Sequence, residues 1–297
     1  MLVGTSIALV GPGAIGSTLA AFLHAAGHEV LLCGRTPKAS IEVRPDDGEP
    51  IVLPGPVHTD PTEIPGPVDV VLLGVKDTQN DAAAAWLERL CDEHTVVCAL
   101  QNGVEQVERV GKHCPTADVV PAVVWFSAKA ESEGWVRLRT EVRLVLPDSP
   151  PAHKLADLLR PAGVTVELDP DFVSETWRKL LTNAVAGLMV LTGRRSGMFR
   201  RDDTEALTRR YLAESLPIAR AEGAHLDDSV IDEIVAMFAT APEDLTTSIL
   251  TDRESGRPLE WDIRNGVLLR KAREHGLPAP ISEVLVPLLA AAGDGPG

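Results

Sequence analysis

The chain has 297 residues, with 28 Lys plus Arg against 43 Asp plus Glu and a formal net charge of −15. A field of that sign disfavours nucleic acid and anionic membrane surfaces as partners, because a polyanion must overcome it before any local basic patch can act. With 44% apolar and 24% charged residues the composition is that of a folded soluble protein, and the length suits two domains.

The first apolar run, residues 7–10, reads as a strand and has no positive segment before it, so no signal peptide is expected. It leads into Gly11-Pro12-Gly13-Ala14-Ile15-Gly16 and a helix over 14–26. A strand, a G-x-G-x-x-G turn and a helix in that order form a dinucleotide cradle. The first glycine makes the turn, the second lets backbone approach a pyrophosphate, and the third lets helix and strand pack closely. Gly11, Gly13, Ala14, Ile15 and Gly16 are therefore the expected cofactor-binding positions, with the phosphates on the helix N-terminus.

A second strand over 29–33 ends in Gly34-Arg35-Thr36. An acidic residue there would accept hydrogen bonds from the ribose of NAD, whereas Arg35 can pair with the 2′-phosphate of NADP, so NADPH is the expected cofactor. Strands follow over 70–75, 95–100 and 119–124, alternating with helices over 78–91 and 104–111. This rhythm predicts a parallel sheet with helices on both faces. Ligands of such sheets bind at the carboxyl ends of the strands, which places Gly74-Val75-Lys76 and Gln101-Asn102-Gly103 at the site; away from that position, Asn102-Gly103 is an ordinary turn dipeptide.

Apolar and charged residues alternate over 134–146, which predicts an antiparallel edge hairpin, followed by a helix over 152–160 and a last strand over 164–168. Beyond it the chain reads as helices over 172–191, 203–222, 229–239, 258–275 and 282–292, with Asp203, Ser229 and Ser282 as caps. The expected organisation is a Rossmann-type α/β domain over 1–168 and an all-α domain over 169–297. The apolar runs are strand-length, far short of the ~20 residues that span a bilayer, so a cytoplasmic protein with no membrane partner is expected. Cys33, Cys91, Cys98 and Cys114 form no C-x-x-C and are expected as reduced structural thiols, and no His/Cys/carboxylate spacing suggests a metal.

On the helix over 172–191, Lys179 and Asn183 stack one turn apart. Burial against Trp177, Leu180 and Leu181 would lower the lysine pKa and make it a proton donor near neutral pH; otherwise Lys179 is a surface cation. Glu260 and Asp262 read as the first turn of the helix begun by Pro258, where dipole complementarity accounts for either, and Thr246-Thr247-Ser248 as capping or loop hydroxyls. Arg194, Arg195, Arg200 and Arg201 form a basic cluster, read as a solvated helix end or subunit contact.

Taken together, these segments give a chain that resembles the ketopantoate reductase (2-dehydropantoate 2-reductase) family nearly end to end. That family lies within the dehydrogenases that join a Rossmann domain to a helical domain like that of 6-phosphogluconate dehydrogenase. The resemblance rests on Gly11 to Gly16, Gly34-Arg35, Val75-Lys76, Gln101-Asn102-Gly103, Trp177-Arg178-Lys179-Leu180 with Asn183, Ser248, and Glu260 with Asn265-Gly266. It implies NADPH-dependent reduction of a small 2-keto acid, ketopantoate first. By the same resemblance Lys179 is the general acid and Glu260 the carboxylate that meets the substrate hydroxyl. Asn183, Ser248 and Asn102 are substrate-binding positions, with Asn102 also beside the nicotinamide, and Lys76 and Arg35 are cofactor ligands.

The sequence departs from the family at Gly187, one turn beyond Asn183, where a second substrate-facing asparagine is common. This predicts an enlarged pocket or another branched or bulkier keto substrate. Two further alternatives are a non-catalytic NADPH sensor, which would be expected to lack Lys179 or Glu260, and a phosphogluconate- or hydroxyacyl-type dehydrogenase. A homodimer through the helical domain rests on analogy.

Overall fold

The computed structural model describes residues 4–294. The chain divides into two compact units, one comprising residues up to Gln101 with Glu105–Phe172, the other Asn102–Val104 with the chain from Val173 onward.

The first unit runs β1 (Ile7–Val10), α1 (Ala14–Ala25), β2 (Val30–Cys33), β3 (Ser40–Pro45), β4 (Ile51–Pro54), β5 (Val57–His58), β6 (Val70–Leu73), α2 (Asn80–Leu90) and β7 (Val96–Ala99). It continues through α3 (Gln106–Gly111), β8 (Asp118–Pro121), β9 (Val123–Val124), β10 (Ala128–Ala130), β11 (Val136–Leu138), β12 (Arg143–Pro147), α4 (Pro150–Leu159) and β13 (Thr165–Asp169). Six strands form a parallel sheet in the order β5-β2-β1-β6-β7-β8. Every residue of β1, β6 and β7 is buried, as the unbroken apolar runs require of strands covered on both faces. The chain order reverses between β1 and β6, so the crevice at their carboxyl ends is the sheet's switch point.

Helix α1 packs on β1 and β2 and also against β3, β4, β10 and β11, which explains its nearly all-apolar sequence. Those last four strands form a second sheet, β10-β11-β3-β4, of which the sequence reading assigned nothing between residues 34 and 70. Ile41, Val43 and Leu53 do alternate inward there, but over runs too short, and too rich in Pro, Gly and Asp, to stand out.

The expected hairpin over 134–146 does not form. β11 pairs with β10 and β3, while β12 pairs with β9 and β13 in a third sheet. A period of two fixes which face a strand buries and is silent about its neighbour. Likewise, the strand expected over 119–124 splits at buried Ala122, β8 joining the large sheet and β9 the third.

The second unit contains α5 (Phe172–Thr192), α6 (Asp202–Ala221), α7 (Ser229–Thr240), α8 (Ser248–Glu254), α9 (Val267–Glu274) and α10 (Pro280–Gly293) around a core that includes Trp177, Leu181, Met189, Tyr211, Leu268 and Leu289. The single helix expected over 258–275 starts only at Trp261, opens into a π-helical turn at Asp262–Gly266 and then becomes α9. Glu260 therefore precedes the helix instead of lying in its first turn. The expected caps also differ: Arg201, Asp228 and Ala279 occupy the N-cap positions. Ser282 instead donates its hydroxyl to Glu214 at 2.7 Å, a tertiary contact.

Among the described residues no helix is long and apolar enough to cross a membrane, and no group of His, Cys, Asp or Glu could hold a metal ion. All four cysteines are unbridged, and burial pushes the Cys33 and Cys98 thiols up to about 12, far from thiolate reactivity.

Candidate active site

In the first unit the glycine turn is built by close approach. Gly11, at φ +85°, receives no side chain because its backbone lies against Val75 and Gly74. A Cβ on Gly16 would come within 2.5 Å of Leu9 Cδ1, and one on Gly74 within 2.8 Å of the Gly11 carbonyl. The ends of β1 and β6 are thus pressed together by glycines on both sides. Gly34 does the same for β2, since a Cβ there would lie 2.8 Å from Pro12 Cδ, and exposed Arg35 follows directly. Lys76 ends the β6 loop, half-buried, and Ala14 and Ile15 open α1. Gln101 braces this edge, donating to the Val75 carbonyl at 3.1 Å and to Asn80 Oδ1 at 2.6 Å.

Lys179, Asn183, Asn102, Glu260 and Ser248 all belong to the second unit, the segment Asn102–Val104 included. Gly103, at φ +104°, lets that segment lie against Ile263, where a Cβ would sit 3.3 Å away. Asn183 Nδ2 donates to Asn102 Oδ1 at 3.2 Å, and Asn102 Nδ2 donates to Glu260 Oε2 at 3.2 Å. Glu260 is only 5% exposed. The same oxygen accepts from Arg264 Nη2 at 3.4 Å, and that nitrogen also donates to Ser248 Oγ at 2.9 Å. Four sequence-predicted residues are thus strung on one hydrogen-bonded line through a fifth, Arg264.

Lys179 is half-buried on α5. Its pKa falls to about 8, first because burial disfavours the charged form and second because the Arg264 guanidinium repels it; Glu175, one turn earlier, acts the other way. The neighbouring Arg178 faces elsewhere and pairs with Glu233, as a 100° step along a helix dictates. A protonated amine near the Arg264 end of this line can deliver a proton to a carbonyl oxygen and face the negative charge that develops on it.

Sequence reasoning missed Arg264, which is 2% exposed and among the largest fully buried side chains. Its signal was an arginine four residues after Glu260, within a stretch where Ile263, Asn265 and Gly266 are also buried.

The enlarged pocket expected at Gly187 is absent. A Cβ there would meet the Asn265 amide at 2.9 Å, and Asn265 is fully buried, donating to the Ala184 carbonyl and the Tyr211 hydroxyl, each at 2.9 Å. The space is filled from the opposite helix. The basic cluster lies apart from the hydrogen-bonded line: Arg195 pairs with Glu254 at 2.8 Å, Arg200 with Glu243, and Arg201 with Asp203 at 2.7 Å.

Comparison with known proteins gives a consistent answer. The model of the family described as "Ketopantoate reductase PanE/ApbA" matches residues 7–151, and that described as "Ketopantoate reductase PanE/ApbA C terminal" matches 171–292. A 2-dehydropantoate 2-reductase of Mycobacterium tuberculosis is 66% identical over 99% of both chains. One from Caulobacter vibrioides is 34% identical over 97% of this chain and 99% of its own. Among solved structures, a dimeric ketopantoate reductase from Staphylococcus aureus superposes with a TM-score of 0.88 at 27% identity, covering 98% of this chain and 100% of that one.

Proposed function

The chain belongs to the ketopantoate reductase family, a family of oxidoreductases, and on that premise we propose that it reduces 2-dehydropantoate to pantoate with NADPH, Lys179 acting as general acid. The observation that carries this reading is the line Asn183, Asn102, Glu260, Arg264, Ser248 beside a lysine whose pKa is about 8.

The first unit fits a dinucleotide. Gly13 is exposed, and a Cβ there would meet nothing nearer than the Gly74 carbonyl at 3.9 Å, so backbone can approach a pyrophosphate. The N-terminus of α1 has no side-chain cap and no acidic residue in its first turn, leaving its dipole for a bound anion. Arg35 supplies a bidentate partner for a 2′-phosphate, and Lys76 a second cation at the end of β6. When bound, the nicotinamide supplies the hydride.

The second unit's residues do the rest. Protonated Lys179 donates to the ketone oxygen as charge develops there, and then recovers a proton from solvent. Glu260, fixed by Asn102 and Arg264, accepts from the hydroxyl of the substrate and keeps the ammonium compensated. Asn183 holds Asn102 in place, and Ser248 serves the substrate carboxylate. Because Asn265 fills the space above Gly187, the pocket is not widened there, which favours ketopantoate over bulkier keto acids.

The test is oxidation of NADPH, followed by absorbance, with ketopantoate, with NADH as alternative cofactor and with a panel of other 2-keto acids. NADPH-specific turnover of ketopantoate is expected. Turnover only of another keto acid, or equal use of NADH, overturns the corresponding half of the reading.

A further inference from the structure

We propose that Arg264 makes this site selective for a carboxylate-bearing substrate: it orients the Ser248 hydroxyl as a donor and supplies the positive charge that the carboxylate meets. The inference rests on reading the second unit as the keto-acid site.

Burying a guanidinium is costly unless its charge and its donors are matched. Arg264 is 2% exposed, yet its contact with Glu260 is 3.4 Å long and that oxygen is shared with Asn102. Its Nε has no hydrogen-bond partner among the described residues. The cation is thus held in place and loosely compensated, the condition in which a bound anion gains most.

The contact with Ser248 fixes a direction. Ser248 Oγ accepts from Arg264 at 2.9 Å, so the hydroxyl hydrogen turns away from the guanidinium and is offered outward from an exposed position at the start of α8. A donor beside a buried cation suits a planar carboxylate and does nothing comparable for a neutral ketone. The charged groups that act on Arg264 or through it are Glu260, which it contacts, and Lys179 on α5, which also feels Glu175 one turn earlier. Burial is the first cause of the lowered Lys179 pKa and repulsion by Arg264 the second, and a substrate carboxylate near the two cations would relieve that repulsion. The element that carries Arg264 is enclosed on all sides: Ile263, Arg264, Asn265 and Gly266 of the π-helical turn are buried in succession, and Val267, Leu268 and Leu269 of α9 follow them.

The experiment compares wild type with Arg264→Met and Arg264→Lys, measuring kcat and KM for ketopantoate and for its neutral primary amide at saturating NADPH. Arg264→Met is expected to raise the ratio of KM for the acid to KM for the amide on the order of 10- to 100-fold, the loss typical of a charge-assisted contact, over whatever loss the two substrates share through Glu260. Arg264→Lys should recover part of the preference. The alkaline limb of the kcat profile should move to higher pH in Arg264→Met, because a neighbouring cation has been removed. Equal losses for acid and amide with an unmoved pH limb would mean that Arg264 is only structural and would overturn the proposal. If Arg264→Met does not fold, Ser248→Ala and Arg264→Lys decide by the same acid-to-amide ratio. If wild type reduces a different 2-keto acid, the ketopantoate reading fails, and the ratio measured on that acid and its amide still judges Arg264. No turnover of any acid in the panel overturns both.

Discussion

At the scale of single residues, the site depends on how far its lysine is moved from its ordinary state. Lys179 with a pKa of about 8 remains mostly protonated at neutral pH and is a much stronger acid than a solvated lysine. Because the acid form is the one that donates, reduction should slow as pH rises through about 8, kcat falling by roughly tenfold per unit above it. A steady-state profile with NADPH and ketopantoate tests this; a flat kcat from pH 7 to 10 would exclude Lys179 as the proton source. Replacing it, as Lys179→Met, should lower kcat by about 10²- to 10⁴-fold and leave NADPH binding, read by fluorescence titration, essentially intact. Loss of both together would make the lysine structural. If Arg35 pairs with the 2′-phosphate as proposed, Arg35→Glu sets a carboxylate against it and should cost NADPH on the order of 100-fold in kcat/KM while sparing NADH. An unchanged cofactor ratio would show that Arg35 is only a solvated loop cation.

At the scale of elements, α5 carries a ridge of Lys179, Asn183 and Gly187 at successive turns, and the π-helical turn faces it. The ridge carries two polar side chains, and at its third position the Asn265 amide takes the space a side chain would fill. Gly187→Ala tests that packing. A helix interior gains about 1 kcal/mol from Gly to Ala. Against this, the new methyl carbon sits 2.9 Å from an amide pinned by two hydrogen bonds, and overpacking of this kind costs about 1–3 kcal/mol with a further ~1 kcal/mol for each bond broken. The net should be destabilisation by about 1–3 kcal/mol, read by thermal or denaturant unfolding. A stabilised variant would mean that Asn265 has room to retreat.

At the scale of the whole molecule, two units each bury an apolar core of their own, so the proposed cofactor and substrate groups belong to separately packed bodies. With a net charge of −15, a small anion must be recognised by local cations, for which we propose Arg35 and Lys76 in one unit and Lys179 and Arg264 in the other. The helical unit also presents an apolar strip on α10, where Val284 is 60% and Leu288 52% exposed. We propose a homodimer through that strip, whose two exposed apolar side chains lie one turn apart on one face of α10. Sedimentation or light scattering should give twice the 31.7 kDa of the chain, and Val284→Glu should reduce it to the single chain. A monomeric wild type would end that proposal.

What the sequence determined by itself was carried by local geometry. The glycine turn between β1 and α1, the buried parallel strands and the Lys179 and Asn183 pair on α5 follow from close approach, from unbroken apolar runs and from a 3.6-residue period, all of which act over a few residues. Tertiary structure decided which distant groups meet. Asn102 reaches Glu260 across 158 positions and Asn183 across 81, β11 and β12 choose different sheets, and Asn265 occupies the space that a missing side chain leaves at Gly187. Arg264 was visible as a letter, but its meaning depended on burial and on Ser248, 16 positions away. The reason is physical: periodicity and turn chemistry fix the direction in which a side chain points, whereas its partner is fixed only when the other elements have packed.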